Sequence, residues 1–212
     1  MSEAGGVSAP AGAPRRGRTP SADVERELLA AAEAVLVREG PGGLTVRAVA
    51  AEAGIAPMGV YNRLGGKDGL VDALVTRGFD RLRATVEAAR DELGQPSVHA
   101  RFITCGLAYR QFALANPHFY AIMFEDALWQ KNDNPVVGEH AVAAFGSLVS
   151  IVELAAAAGV IAAPEPLEVA QQIWSSLHGA VTLELQGLVL TPDPLRTYQA
   201  FLGTLVRGLA PR

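Results

Sequence analysis

The side chains of this protein that could run a reaction or hold a metal are few, and their spacing arranges them for neither. The adjacent carboxylates Glu125 and Asp126 diverge on a helix instead of facing one substrate. His99, His118, His140 and His178 lie far apart in no ligand motif. Cys105 is the sole cysteine, so neither an internal disulfide nor a CxxC or Cys/His finger can form. Neither a phosphate-cradling glycine loop nor a nucleophile elbow occurs. An enzyme is therefore not expected, and no cofactor or metal is expected. A metal-sensing regulator using His118, His140 or His178 is the alternative reading.

The 212 residues are half apolar and 19% charged, a globular balance with length enough for a buried core. A net charge of −4 excludes a surface that coats nucleic acid or anionic membranes indiscriminately. The charge is uneven, however: residues 1–90 hold 12 basic and 11 acidic side chains, against 6 and 11 in the remainder. Any polyanion site must be local and N-terminal. The N-terminus has no basic start followed by an apolar run, and with a single cysteine this predicts a reducing, cytoplasmic location. Residues 141–163 approach membrane-spanning length, but Ser147, Ser150 and Glu153 interrupt them, which predicts a buried helix of a soluble protein and no membrane partner.

The elements that position any site are helices. Residues 1–18 have almost nothing apolar to bury and read as a disordered arm ending in Arg15, Arg16 and Arg18. Those arginines can reach a phosphate or a minor groove, or belong to a solvated tail. Thr19 and Pro20 open a first helix with Val24, Leu28, Ala31 and Val35 on one face, ending at Gly40. Thr45 caps a second helix of about two turns, closed by Gly54, and Pro57 starts a third that Gly65 and Gly66 interrupt. A long helix follows from Lys67 to about Leu93. The heptad-like run Val98, Phe102, Cys105, Tyr109, Phe112 comes next, then a short aromatic helix from Pro117 to about Leu128 and a polar loop. Three more helices, each opened by proline, give about nine in all, with no strand pattern anywhere. The fold predicted is all-α.

A helix, a glycine corner and a short second helix make the geometry in which a recognition helix enters a major groove, although many helical hairpins bind no nucleic acid. The residues are more specific than the geometry. Ala53-Gly54-Ile55, Gly59-Val60-Tyr61 and Gly66-Lys67-Asp68-Gly69-Leu70 resemble, in order and spacing, the DNA-binding domain of the TetR family of bacterial transcription regulators. The resemblance implies a three-helix helix-turn-helix domain over residues 19–66, followed by a helical effector-binding and dimerisation domain over 67–212. It also implies that the Thr45 and Tyr61 hydroxyls and the Lys67 ammonium touch phosphates, while Pro57, Met58, Gly59 and Asn62 face base edges; Arg63 can pair with guanine or with phosphate. Blander roles remain open: Thr45 as a cap only, Tyr61 as packing, Lys67 as a solvated charge. The recognition helix departs from the usual pattern, with Ala56 at a capping slot, Arg63-Leu64 for a His-aromatic pair, and the Gly65-Gly66 junction.

Trp174, His178 and Gly179, with the stretch from Tyr109 to His118, resemble the subgroup named for its Trp-His-Gly signature. Phe102, Cys105, Tyr109, Phe112, Met123, Phe124, Trp174 and His178 are accordingly expected to line an apolar effector site, or else simply to fill the core. The last two helices offer Leu167, Ala170, Trp174, Leu177, Val181, Leu188, Leu195, Tyr198, Leu202, Leu205 and Leu209 for a homodimer interface. The whole predicts a homodimeric, sequence-specific repressor that binds an inverted-repeat operator in double-stranded DNA and is released by a small apolar effector.

Overall fold

A computed structural model describes residues 21–92, 94, 97–124 and 134–211, and the described residues form nine helices and no strand. They are α1 (Ser21–Gly43), α2 (Val46–Glu52), α3 (Pro57–Leu64), α4 (Lys67–Asp91), α5 (Val98–Ala115), α6 (Pro117–Phe124), α7 (Pro135–Ala157), α8 (Pro166–Leu185) and α9 (Pro194–Gly208). The arm with Arg15, Arg16 and Arg18, the cap at Thr19 and Pro20, the pair Glu125 and Asp126, and the loop from Trp129 lie outside the described residues.

Local chemistry sets the boundaries. Thr45, Ser97, Asn134 and Asp193 cap α2, α5, α7 and α9, each accepting a backbone N–H at 2.9–3.1 Å. Proline occupies the first turn of α3, α7, α8 and α9, where its missing N–H costs nothing. Helix α1 is broken at Gly40 (φ 71°, ψ −176°) just ahead of Pro41, so its regular part stops there.

Helices α1 to α3 enclose Leu28, Val35, Leu36, Val49, Val60 and Leu64, and Leu70 and Leu74 of α4 complete that core. The far end of α4 enters a second packed region with α5 to α9 around Phe102, Tyr120, Met123, Ile151, Ile173 and Leu202. One helix thus belongs to both halves. Glu33 of α1 takes Arg77 Nε at 2.6 Å and Arg81 at 2.7 Å, tying α1 to α4. Along its other side α4 meets α7 through Asp72–Asn134, Asp80–His140 and Glu87–Ser147, at 2.7, 2.6 and 2.8 Å. Residue numbers rise together along this seam, so α4 and α7 run parallel.

Two expectations need correction. Helix α7 is long and apolar enough to cross a membrane, with a mean hydropathy of 1.6 over its best window, but only 22% of that window is buried in the protomer. One face packs on α4 through Val137, Ser147, Ile151 and Val152, and the other is open. The dimer stripe read from α8 and α9 is also mostly internal: Ala170, Leu177, Val181, Tyr198 and Leu202 are buried within one protomer, leaving Leu167, Leu188 and Leu195 exposed. Periodicity finds a buried face without saying whose surface buries it.

Arg110 of α5 and Glu184 of α8 form a largely buried bidentate pair, with Nε donating to Oε2 at 2.7 Å and Nη2 donating to Oε1, and the guanidinium lies over the Tyr198 ring at 5.7 Å. Glu184→Ala leaves that guanidinium without its partner and should cost about 3 kcal/mol, read as a fall of roughly 6–12 °C in thermal denaturation. An unchanged Tm would show that the clamp contributes nothing net.

Candidate nucleic-acid interface and ligand cavity

Helix α3 has a buried and a solvent face, as its short length and alternating chemistry require. Val60 and Leu64 are buried against α1 and α4, whereas Pro57, Met58, Tyr61, Asn62 and Arg63 are exposed, Met58 by 63% and Tyr61 by 54%. Gly59 faces Ile55, whose Cδ1 lies 2.8 Å from where a Cβ would stand. No side chain caps the helix at Ala56. The Tyr61 ring lies over Gly66 (φ +96°), and a Cβ there would meet its Cε1 at 2.9 Å. The glycine junction therefore has a physical role: it leaves room for the tyrosine beside the exposed first residue of α4, Lys67. Thr45 accepts from Ala48 N at 3.1 Å, which makes it a helix cap whatever else its hydroxyl touches. Arg47, one residue inside α2, is also exposed and was not singled out from the sequence. Its signal was only a cation next to a capped helix start.

The second site lies at the distal end of α4. Helices α4, α5, α7 and α8, with Leu202 and Leu205 of α9, enclose a cavity of about 320 Å³. Of the residues expected at an effector site, Phe102, Cys105, Tyr109, Phe124 and Trp174 line it. Phe112, Met123 and His178 do not: Phe112 is packed in the core, Met123 is fully buried against the position of Gly78, and His178 sits behind the wall. Residues not foreseen supply much of the lining, chiefly Phe79 and Leu82 of α4 and Phe145, Leu148 and Ile151 of α7.

His178 belongs to a small polar cluster. Its Nδ1 is 2.7 Å from the Tyr120 hydroxyl and 3.3 Å from that of Tyr109, and the two hydroxyls are 2.9 Å apart. The imidazole also stacks on Tyr120 at 5.4 Å and meets Phe124 edge-on at 4.9 Å. Burial pushes the Tyr109 hydroxyl up to about 12 and that of Tyr120 further upward. Cys105, whose Sγ donates to the Val86 carbonyl at 3.8 Å, is likewise pushed up to about 11 by burial. Tyr109 and Cys105, the two of these groups in the described lining, therefore stay neutral near pH 7.

A pH dependence follows from the same burial. The folded values of Cys105 and Tyr109 exceed their ordinary 9.0 and 10.0, so the unfolded chain releases these protons first. Stability is fully present below pH 9 and declines as pH rises through about 12. At pH 8 iodoacetamide should alkylate Cys105 in the native protein at least a hundredfold more slowly than in guanidinium. Equal rates would place the thiol in solvent.

The three histidines of the metal-sensing alternative are dispersed. The His118 ring lies 3.5 Å from where a Cβ on Gly40 would stand, His140 is held by Asp80, and His178 by the two tyrosines. Among the described residues no group of three His, Cys, Asp or Glu side chains could hold a metal.

Comparison with known proteins agrees with this architecture. Residues 28–74 match the model described as bacterial regulatory proteins, tetR family, and residues 102–205 match a tetracyclin repressor-like C-terminal domain. A solved structure of a protein with unknown function from Rhodococcus sp. RHA1 is 32% identical, with a TM-score of 0.78 over 89% of this chain and 96% of that one. The chain belongs to the TetR family. The HTH-type transcriptional regulator Rv1816 of Mycobacterium tuberculosis is 24% identical over 88% of this chain and 92% of that protein. A tetR-family regulatory protein from Rhodococcus RHA1 shares the fold at a TM-score of 0.66 and 18% identity, covering 89% and 98%. This TetR-family protein is thus a helix-turn-helix DNA-binding regulator, with its exposed α3 at one end of α4 and an apolar cavity at the other. The C-terminal match carries a broader description than the Trp-His-Gly subgroup.

Proposed function

We propose that this protein is a homodimeric repressor of an inverted-repeat operator, released when a small, uncharged apolar effector enters the cavity. In this reading residues 19–66 are the DNA-binding domain and 67–212 the effector and dimer domain, working in the cytoplasm where the operator lies. Thr45, Tyr61 and Lys67 hold phosphates; Pro57, Met58, Gly59 and Asn62 face bases, with Arg63 on either. The observation that carries the proposal is α4 itself. It begins at exposed Lys67 beside the recognition helix and contributes Phe79, Leu82 and Val86 to the cavity wall.

Repression by release needs an effector that binds one arrangement better than the other, because equal affinity for both shifts nothing. An occupant pressing on Phe79 and Leu82 tilts α4 and moves the recognition helices off the ~34–36 Å spacing of successive major grooves. The lining predicts neutral lipophilic molecules and disfavours ions, since no charged side chain faces the cavity among the described residues.

A thermal-shift screen of neutral lipophilic compounds, each hit retested for release of DNA, tests this reading. Compounds that raise Tm and weaken operator binding support it. Hits that stabilise the protein and leave DNA affinity unchanged would remove effector control. For specificity, Asn62→Ala should cost about 1–3 kcal/mol on the preferred operator and relax the choice at one base pair per half-site.

A further inference from the structure

We infer that the effector is a neutral lipophile carrying a hydroxyl group, which donates its hydrogen to the Tyr109 oxygen; this rests on the reading just given, of an apolar effector in the cavity. Among the described lining residues the polar side chains are few, and two are already engaged. The Cys105 thiol donates to the Val86 carbonyl, and Gln171 is exposed, with its Nε2 donating to Ser175 at 3.2 Å. Tyr109 and Trp174 remain. Tyr109 is also the member of the His178 cluster that reaches the cavity, since Tyr120 and His178 lie behind the lining.

The hydrogens of that cluster can be counted. The 2.7 Å between the Tyr120 oxygen and His178 Nδ1 is the length of a bond given by a hydroxyl, shorter than the usual N–H···O length of about 2.9–3.0 Å. A phenol also donates more readily than a neutral imidazole. Tyr120 is therefore the donor, and the single lone pair of Nδ1 is spent on it. Tyr109, 2.9 Å from Tyr120, then donates to the Tyr120 oxygen, because Tyr120 has no second hydrogen to give. The 3.3 Å approach of Tyr109 to Nδ1 is left without a hydrogen of its own. Both tyrosine hydrogens thus run inward to His178, and what Tyr109 turns to an occupant is an acceptor.

This acceptor selects the occupant. The Trp174 indole N–H acts on the same oxygen. A ligand hydroxyl suits the pair, with its hydrogen on Tyr109 and its oxygen accepting from the indole. An ether offers an oxygen only and leaves the buried acceptor unfilled, and a methyl group leaves both groups unfilled. An alkylammonium would donate, but it brings a charge to a described lining that has none to pair with it. His178 is in this scheme a positioning residue: it never touches the effector, and it sets which way the hydrogens point.

The test uses the full chain at neutral pH and three compounds of nearly one shape: para-tert-butylphenol, para-tert-butyltoluene and para-tert-butylanisole. Each is titrated against the neutral dye N-phenyl-1-naphthylamine bound to the protein, with displacement read by fluorescence. The phenol should bind roughly tenfold more tightly than the toluene or the anisole. In a cavity without a polar partner the phenol falls last, because a buried hydroxyl left unpaired costs more than a methyl group. Tyr109→Phe should abolish the preference for the phenol and leave the toluene within about twofold of its wild-type affinity. His178→Phe keeps a ring against Tyr120 and removes Nδ1, so the Tyr120 hydrogen turns to Tyr109 and frees the Tyr109 hydrogen for the cavity. The anisole should then gain on the phenol, a reversal that loss of packing alone would not produce. Should either variant fail to fold, the wild-type series alone decides. A toluene or anisole that matches the phenol on the wild type, or a phenol preference that survives Tyr109→Phe, overturns this inference and leaves the effector reading standing. A wild-type protein that binds neither the dye nor any of the three compounds overturns both.

Discussion

Replacing Tyr61 and Lys67 together by alanine should lower affinity for every duplex, preferred or not, by roughly a hundredfold at moderate salt. Both side chains are exposed, Tyr61 on the recognition helix offering a hydroxyl and Lys67 just beyond it an ammonium group. Loss of one charge-assisted and one neutral phosphate contact costs about 1.4 kcal/mol apiece, and two such losses multiply to that factor. The salt dependence distinguishes the two. Removing Lys67 alone should flatten the slope of log affinity against log salt by about one unit, since one phosphate then keeps its counterions; Tyr61→Phe should shift affinity and leave the slope unchanged. Folding should hardly notice, because neither group is part of the core. An affinity change confined to one sequence would mean that these groups read bases instead.

Leu177→Trp should have the largest effect at the other site. Leu177 is buried, sits on α8 and faces the cavity, so the larger ring occupies volume that is open in the protein. With about 320 Å³ to fill, the indole adds apolar contacts without the strain of overpacking a closed core. The variant should melt higher by a few degrees, lose neutral dye binding more than tenfold, and hold its operator in the presence of effectors that release the wild type. Phe112→Trp, the substitution that the helical stripe alone would suggest, is expected to destabilise, because Phe112 lies in packed core away from the cavity. If Leu177→Trp still binds dye like the wild type, the ligand site lies elsewhere.

Helix ends were legible from the sequence because punctuation is local. Thr45 caps and Gly54 and Gly65 turn left-handed where a chain of L-residues must reverse, and Pro57, Pro117, Pro135 and Pro166 open helices where the N–H is dispensable. The faces of α3 were legible for the same reason, since eight residues between proline and glycine leave only one way to bury Val60 and Leu64.

The cavity was harder to read because its wall is built across the chain. A heptad stripe marks Phe102, Cys105, Tyr109 and Phe112 as inward-facing, but whether a neighbour or an empty space stands opposite depends on α4 and α7, whose residues are distant in sequence. His178 looked like a ligand-facing polar handle and is instead occupied by Tyr109 and Tyr120, two hydroxyls that satisfy it behind the lining. The alanine-rich α7 suggested a buried helix; its small side chains fit equally well a helix that packs on one side and exposes the other.

The most direct test of the central claim is selection of bound duplexes from a random pool by the full-length protein, followed by sedimentation of the complex with the winning sequence. The account predicts enrichment of an inverted repeat with half-site centres about 10–10.5 base pairs, or a multiple of that, apart, carrying protomers in even number. No enriched sequence, or a lone protomer on a single half-site, would contradict it.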